Sequence, residues 1–251
     1  MIEFRFLRAA RKIDAKIIIV SIEQAAAIIA RADALIVGAG AGMGVDSGLP
    51  DFRGDQGFWK AYPRYAELGL RFAELANPRW FESDPELAWG FYGHRLHLYR
   101  DTVPHDGFAV LRKWAQKMSG GAFVFTSNVD GQFQKAGFAD ARIMEVHGSI
   151  HHLQCQRGCR GAVWCAEGFE PQVDEEACRL LGEPPRCPHC GGVARPNILM
   201  FGDWAWIPRR TEAQEARLVA WLEHVRRPVV IELGAGENVP TVRRFAESIG
   251  G

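Results

Sequence analysis

Short apolar runs that end in glycine or polar residues recur along the chain, at Ala34 to Val37, Ala122 to Thr126, Arg142 to Val146 and Pro228 to Leu233. Such runs lack the alternation of a half-exposed strand and predict parallel strands covered on both faces. Between them, Asp84 to Arg100 and Asp106 to Lys117 carry helical periodicity, and Thr211 to Val225 reads as an amphipathic helix. Ser21 to Arg31 predicts a further helix, with Ser21 as N-cap and Glu23 and Gln24 in the first turn. Alternating strands and helices predict a doubly wound, mostly parallel α/β sheet with its ligand crevice at the carboxyl ends of the strands. Gly40, Ser127, His147 and Gly234 all stand just past such ends.

A segment rich in cysteine, glycine and proline interrupts this alternation. The expected division is a Rossmann-like domain over 21–150 and 193–251, a small inserted module over 151–192, and an N-terminal extension over 1–20. Thiolates are soft ligands, and two of them two or three residues apart on a tight turn face one tetrahedral ion. Cys155-x3-Cys159 and Cys187-x2-Cys190 supply four, with Gly158, Gly161, Gly191 and Gly192 at the turns. The spacing predicts one structural zinc per chain, its shell closed by protein sulfur. Cys165 and Cys178 have no paired neighbour, and His189 inside the second knuckle is expected to be a surface residue.

With 251 residues and 47% hydrophobic content, the chain can bury one large core plus a small insertion. Lys+Arg and Asp+Glu both number 30, so no global field draws it to nucleic acid or an anionic membrane, and neither is expected as a partner. No apolar run approaches the roughly 18 residues of a membrane span, and the N-terminus lacks a secretory core. A cytoplasmic protein is expected. Arg5, Arg8, Arg11, Lys12 and Lys16 are mixed with Glu3 and Asp14, which favours a solvated extension over a targeting segment.

The stretch Gly40-Ala41-Gly42-Met43-Gly44 follows the first strand directly. Glycines there are expected to bring bare backbone N–H groups up to a dinucleotide pyrophosphate. The full G-x-G-x-x-G spacing is missing, and no acidic residue about 20 positions on stands ready for a ribose, which disfavours a standard Rossmann dehydrogenase.

Further motifs follow in order: Pro50-Asp51-Phe52-Arg53, Thr126-Ser127-Asn128-Val129-Asp130-Gly131 with Ala136-Gly137, His147-Gly148-Ser149, the four paired cysteines, and Arg195 through Asp203. Over roughly 34–203 this series resembles the sirtuin family, bacterial-type. The resemblance implies an NAD-dependent protein-lysine deacylase (deacetylase or desuccinylase) that releases nicotinamide and O-acyl-ADP-ribose, the acyl-lysine carbonyl oxygen being the nucleophile. It assigns His147 as the base, and Asn128 and Asp130 as the groups that hold the nicotinamide carboxamide and ribose. Gly40, Ala41, Gly42, Asp51, Ser127, Gly234, Ala235 and Gly236 would line the NAD site, with Phe52 and Arg53 on a loop covering it. The acyl-lysine peptide would lie between Phe201-Gly202 and Val239. Tyr92 and Arg95, at i and i+3 of one helix, match the pair by which one sirtuin class reads succinyl- and malonyl-lysine. His151 and His152, outside the motif, keep a structural reading.

The chain departs from the family pattern at several points. Gly44 stands where serine is usual, Ser127 where glutamine is usual, and the stretch from Gly234 to Pro240 is one residue short and lacks two hydroxyls. Family members normally continue beyond the position of Gly251 into a further strand and an adenine-contacting loop, so an open adenine pocket and weakened NAD binding are expected. An ADP-ribosyltransferase or NAD hydrolase on the same fold, or a non-catalytic nucleotide sensor, are the competing readings. The peptide-binding residues favour the deacylase over the first of these, and His147 with Asn128 and Asp130 argues against the sensor.

Overall fold

The computed structural model describes residues 21–51, 58–60, 62–236 and 239–250. The expected extension over 1–20 and the loop residues Phe52 and Arg53 lie outside the described residues. Four parallel strands form the main sheet: β1 (Ala34–Ala39), β2 (Ala122–Thr126), β3 (Ile143–Glu145) and β9 (Pro228–Leu233), in the order β3-β2-β1-β9. Every residue of β1 is buried, as a central strand covered on both faces must be.

The period-2 alternation of β1 divides the core into two layers. Ala34 and Ile36 pack with Phe123, Phe125 and Met144 against the helices α8 (Arg209–Leu222) and α9 (Thr241–Gly250). Leu35, Val37 and Ala39 face the opposite layer, with Phe108 and Leu111 of α6 (Asp106–Ala115) and with Phe133 of the short α7 (Gln132–Lys135). Phe125 of β2 stacks on Phe245 of α9 with ring centroids 3.8 Å apart and planes 7° from parallel. Truncating one ring of such a buried pair typically costs about 3–5 kcal/mol.

Element positions follow the apolar pattern, and the boundaries move for local reasons. β1 runs two residues beyond Val37 because Gly38 and Ala39 keep their partners in β2 and β9. β3 is shorter than Arg142 to Val146, since Arg142 closes a 3-10 turn over Asp140–Arg142 and Val146 begins the next turn. The helix α1 (Ile22–Arg31) starts at Ser21 with a reciprocal cap: the Ser21 hydroxyl accepts the Gln24 N–H, and the Gln24 side chain accepts the Ser21 N–H. None of its residues is buried, and Ile22 is 85% exposed.

A second layer is built around an antiparallel sheet, β5 (Val163–Cys165), β4 (Gly148–Cys155) and β8 (Ala194–Ile198), in the order β5-β4-β8. It starts immediately after His147 and ends just before the Phe201-Gly202 corner. A hairpin of β6 (Gln172–Asp174) and β7 (Arg179–Leu181) lies on the long helix α5 (Pro85–Asp101), preceded by the short helices α2 (Pro63–Glu67), α3 (Phe72–Leu75) and α4 (Trp80–Ser83). At Gly90 of α5 a Cβ would stand 2.0 Å from the Cys178 carbonyl oxygen, so helix and hairpin meet backbone to backbone. Arg179 secures the start of the helix by bonding Asp84, its N-cap, and Glu86. Arg195 and Asp203, both fully buried, pair at 2.8 Å and hold the segment that follows β8. Removing one member of such a pair strands a charge, at about 3–5 kcal/mol.

Among the described residues no helix is long and apolar enough to cross a membrane.

Candidate active site and metal centre

The carboxyl ends of the four parallel strands lie side by side at one edge of the sheet. Gly40 and Gly234, past β1 and β9, are interlocked: a Cβ on Gly40 would lie 2.6 Å from the Gly234 carbonyl oxygen, and one on Gly234 would lie 2.1 Å from the Met43 nitrogen. The expectation of bare N–H groups is corrected here. The Gly40 N–H donates to the Leu233 carbonyl, that of Gly42 to Gly234, and that of Met43 to Gly40, so the glycines serve the close approach of two loops rather than leaving these donors open. The chain then enters a 3-10 segment, Ala41–Ser47, that ends at Gly48.

Past β2, the Thr126 hydroxyl accepts the Asn128 N–H and donates to the Ala39 carbonyl, each at 3.0 Å. The Asn128 amide nitrogen donates to the Gly40 carbonyl at 3.0 Å, which locks its orientation against the glycine loop. Asp130 is buried, with Oδ1 accepting the Gln132 N–H at 2.9 Å. Burial, which disfavours the charged carboxylate, raises its pKa to about 6, against the lowering effect of the Gln132 amide. His147, past β3, is half-buried; desolvation, opposed by the nearby Ser127 backbone, holds its pKa below the ordinary histidine value. At neutral pH its ring is therefore uncharged. Its own carbonyl accepts the Leu199 N–H, which ties the histidine to the segment after β8.

His151 fits its structural reading. Its Nε2 pairs with the Asp130 carbonyl at 2.9 Å, and a Cβ at Gly131 would come within 2.7 Å of the ring. A cavity of about 550 Å³ touches Asp130 from this side, walled by Tyr99, Ser149, His152, Arg210 and Arg217, and none of Gly40, Ser127, Asn128 and His147 lines it. His105 was passed over in the sequence because it belongs to no motif, yet it bonds the segment carrying Met43 and Ser47.

The residues expected at the peptide are placed on the surface. Phe201 is 46% and Val239 47% exposed, Gly202 adopts a positive φ of 68°, and the Phe201 ring packs edge-on against Phe72. Tyr92 and Arg95 are both buried within α5. The Arg95 guanidinium lies 5.1 to 5.7 Å from the Phe91, Tyr92 and Tyr99 ring centres and bonds the Tyr99 hydroxyl. Burial pushes the Tyr92 phenol up to about 12, so its hydroxyl stays protonated.

Two departures from the expected motifs have local explanations. A Cβ at Gly44 would approach Leu49 to 3.1 Å, so a larger residue there requires Leu49 to move. Ser127 joins the framework through its backbone: its N–H donates to the Ala39 carbonyl.

The four knuckle cysteines form one group. Cys155 and Cys190 sulfurs are 3.7 Å apart, those of Cys159 and Cys187 3.4 Å, and all four lie within 4.8 Å of one another. Four sulfurs bound tetrahedrally to zinc at about 2.3 Å stand about 3.8 Å apart, so the cluster fits that ion. Gly158 and Gly191 turn the two knuckles at positive φ, 65° and 68°. Cys165, Cys178 and His189 stand outside the group, as their spacing implies.

Burial lowers the pKa of His147, His151 and His152, the last to about 4. The folded state then binds fewer protons than the unfolded chain, so this stability is present above about pH 6.5 and is lost as pH falls. Asp130 has the opposite sign: its raised pKa favours the fold at low pH and offsets part of the loss. The melting temperature is expected to fall between pH 6.5 and 4, and His152→Gln is expected to flatten that decline. Equal slopes in the two proteins would contradict the assignment to His152.

The Sir2 family profile matches residues 40–220, and the chain belongs to that family. An NAD-dependent protein deacylase of Pyrococcus furiosus is 34% identical over 176 residues, which span 70% of this chain and 64% of that protein. An NAD-dependent protein deacetylase of Saccharolobus solfataricus is 34% identical over 164 residues, 65% of this chain and 58% of that protein. The chain thus matches less than two thirds of the length of these relatives. Among solved structures, a Sir2 homologue mutant in complex with 2′-O-acetyl ADP ribose superposes with a TM-score of 0.66 at 26% identity, covering 91% of this chain and 82% of that one. A Sir2 homologue–NAD complex gives a TM-score of 0.67 at 24% identity, with 96% and 83% covered.

Proposed function

We propose that this chain is an NAD-dependent protein-lysine deacylase. The observation that carries the reading is the placement of an uncharged His147, an orientation-locked Asn128 and a buried Asp130 just past the ends of two adjacent parallel strands. The names of the two relatives, NAD-dependent deacylase and deacetylase, support it.

The donor set suits NAD. Asn128, with its amide nitrogen fixed on Gly40, would offer its carbonyl oxygen, and Asp130 its carboxyl, to a carboxamide and sugar hydroxyls. The rest of the dinucleotide would lie along Gly40, Ala41 and Gly42, which pack against Gly234 and Ala235, with Gly236, Asp51 and Ser127 as further contacts. NAD supplies a glycosidic bond to nicotinamide that an acyl oxygen can displace. His147, neutral at working pH, would act as the base that takes the proton from the sugar hydroxyl. Phe201 and Val239, both exposed, favour a peptide substrate over free-standing NAD hydrolysis, because hydrolysis needs no peptide grip.

For the acyl group, we favour an acidic one such as succinyl. Arg95 lies among aromatic rings, where a carboxylate meets its guanidinium in a low dielectric, with the protonated Tyr92 hydroxyl as second donor. A hydrogen bond to a charged group is worth about 1.5–3 kcal/mol, or about one to two decades in kcat/KM. Succinyl-lysine peptides are therefore expected to outcompete acetyl-lysine peptides, and Arg95→Met to reverse the preference, in steady-state assays on variants checked for melting temperature. An unchanged preference in folded Arg95→Met would return the substrate to acetyl-lysine.

A further inference from the structure

We infer that His105 is a positioning residue for the cofactor loop, a strut that sets the 3-10 segment Ala41–Ser47 against the start of α6. The inference rests on the reading of that segment as part of the NAD site. Three bonds define the strut. The His105 backbone N–H donates to the Ser47 hydroxyl at 3.0 Å, the ring Nε2 lies 3.0 Å from the Met43 carbonyl oxygen, and the Gly107 N–H donates to the ring Nδ1 at 3.0 Å.

This arrangement fixes the tautomer. Because Gly107 donates to Nδ1, that nitrogen carries no proton, and the single N–H of the neutral ring is on Nε2, where it donates to Met43. One imidazole thus caps α6 as its N-cap side chain and reaches across to the loop that follows β1. Gly107 makes the pose possible: a Cβ there would stand 2.4 Å from the ring. The ring also packs edge-on against Phe108, whose own side chain is buried beneath β1, so the strut is footed in the core. Met43 is in turn joined through its N–H to Gly40, whose carbonyl orients Asn128. The chain of bonds runs from α6 through His105, Met43 and Gly40 to the carboxamide of Asn128.

His105→Asn separates the two roles. An asparagine N-cap can still accept the Gly107 N–H, but its side chain is too short to span to Met43 as well. His105→Asn is expected to keep the melting temperature close to that of the parent, to weaken NAD binding measured by calorimetry about two- to tenfold, the worth of one net hydrogen bond, and to speed amide exchange over 41–47. Ser47→Ala, which removes the other tie, is expected to shift both readouts in the same direction. NAD affinity and exchange both unchanged in His105→Asn would overturn the strut. Faster exchange in a chain whose parent binds no NAD would leave the strut standing and bring down the cofactor reading instead.

Discussion

His147→Ala is expected to lower peptide-dependent nicotinamide release by about 10²- to 10⁴-fold, the usual contribution of a positioned general base. The structure explains why the loss should fall on chemistry and not on folding. The side chain is half-buried rather than part of the core, and the backbone link from its carbonyl to Leu199 survives truncation. The pH profile offers a second reading of the same residue. A base must be uncharged, and desolvation lowers the pKa of His147, so the acid limb of kcat/KM is expected below the ordinary histidine value near 6.5. A melting curve like that of the parent with release reduced by less than tenfold would remove His147 from the role of base.

The second large effect is the loss of the metal. Metal binding at a four-thiolate site is folding energy, about 10–16 kcal/mol in isolated zinc peptides, and here the ligands tie β4 to the turn before β8 across 35 residues of chain. Cys187→Ser or chelation is expected to release one zinc per chain, measured by atomic absorption, and to unfold at least the β5-β4-β8 sheet, seen as lost β signal in circular dichroism. Because that sheet begins one residue after His147, activity should go with it. Cys165→Ser and Cys178→Ser are expected to keep the metal. Zinc retained in Cys187→Ser but lost in either of those would overturn the ligand set.

The parallel sheet was legible because its strands read as short apolar runs, most clearly the fully buried β1, whereas β9 at the edge is only half-buried and not covered as its run implies. The candidate site positions were readable as strand ends because they follow those runs at once, as Gly40, Ser127, His147 and Gly234 do. The cysteine pairs were legible from spacing, since a knuckle is local in sequence. What escaped was set by contacts between distant segments. Nothing in the glycine run tells that Gly40 and Gly42 spend their N–H groups on Leu233 and Gly234, because the partner loop is about 190 residues away. Tyr92 and Arg95 were readable as a face-sharing pair, but their burial depends on Tyr99 in the next turn and on the aromatic cluster around Phe58 and Phe91. His105 carries no motif at all; its two reaches, to Met43 and Ser47, cross some 60 positions of chain, and only the small Gly107 beside it hints that a ring must fold back there.

The central claim, that the crevice at the strand ends couples NAD cleavage to an acyl-lysine peptide, is tested most directly by following nicotinamide release from NAD with and without an acyl-lysine peptide. The account predicts release that depends on the acyl peptide and disappears in both His147→Ala and Asn128→Ala. Release at the same rate without any peptide, or with an unmodified lysine peptide, would contradict it.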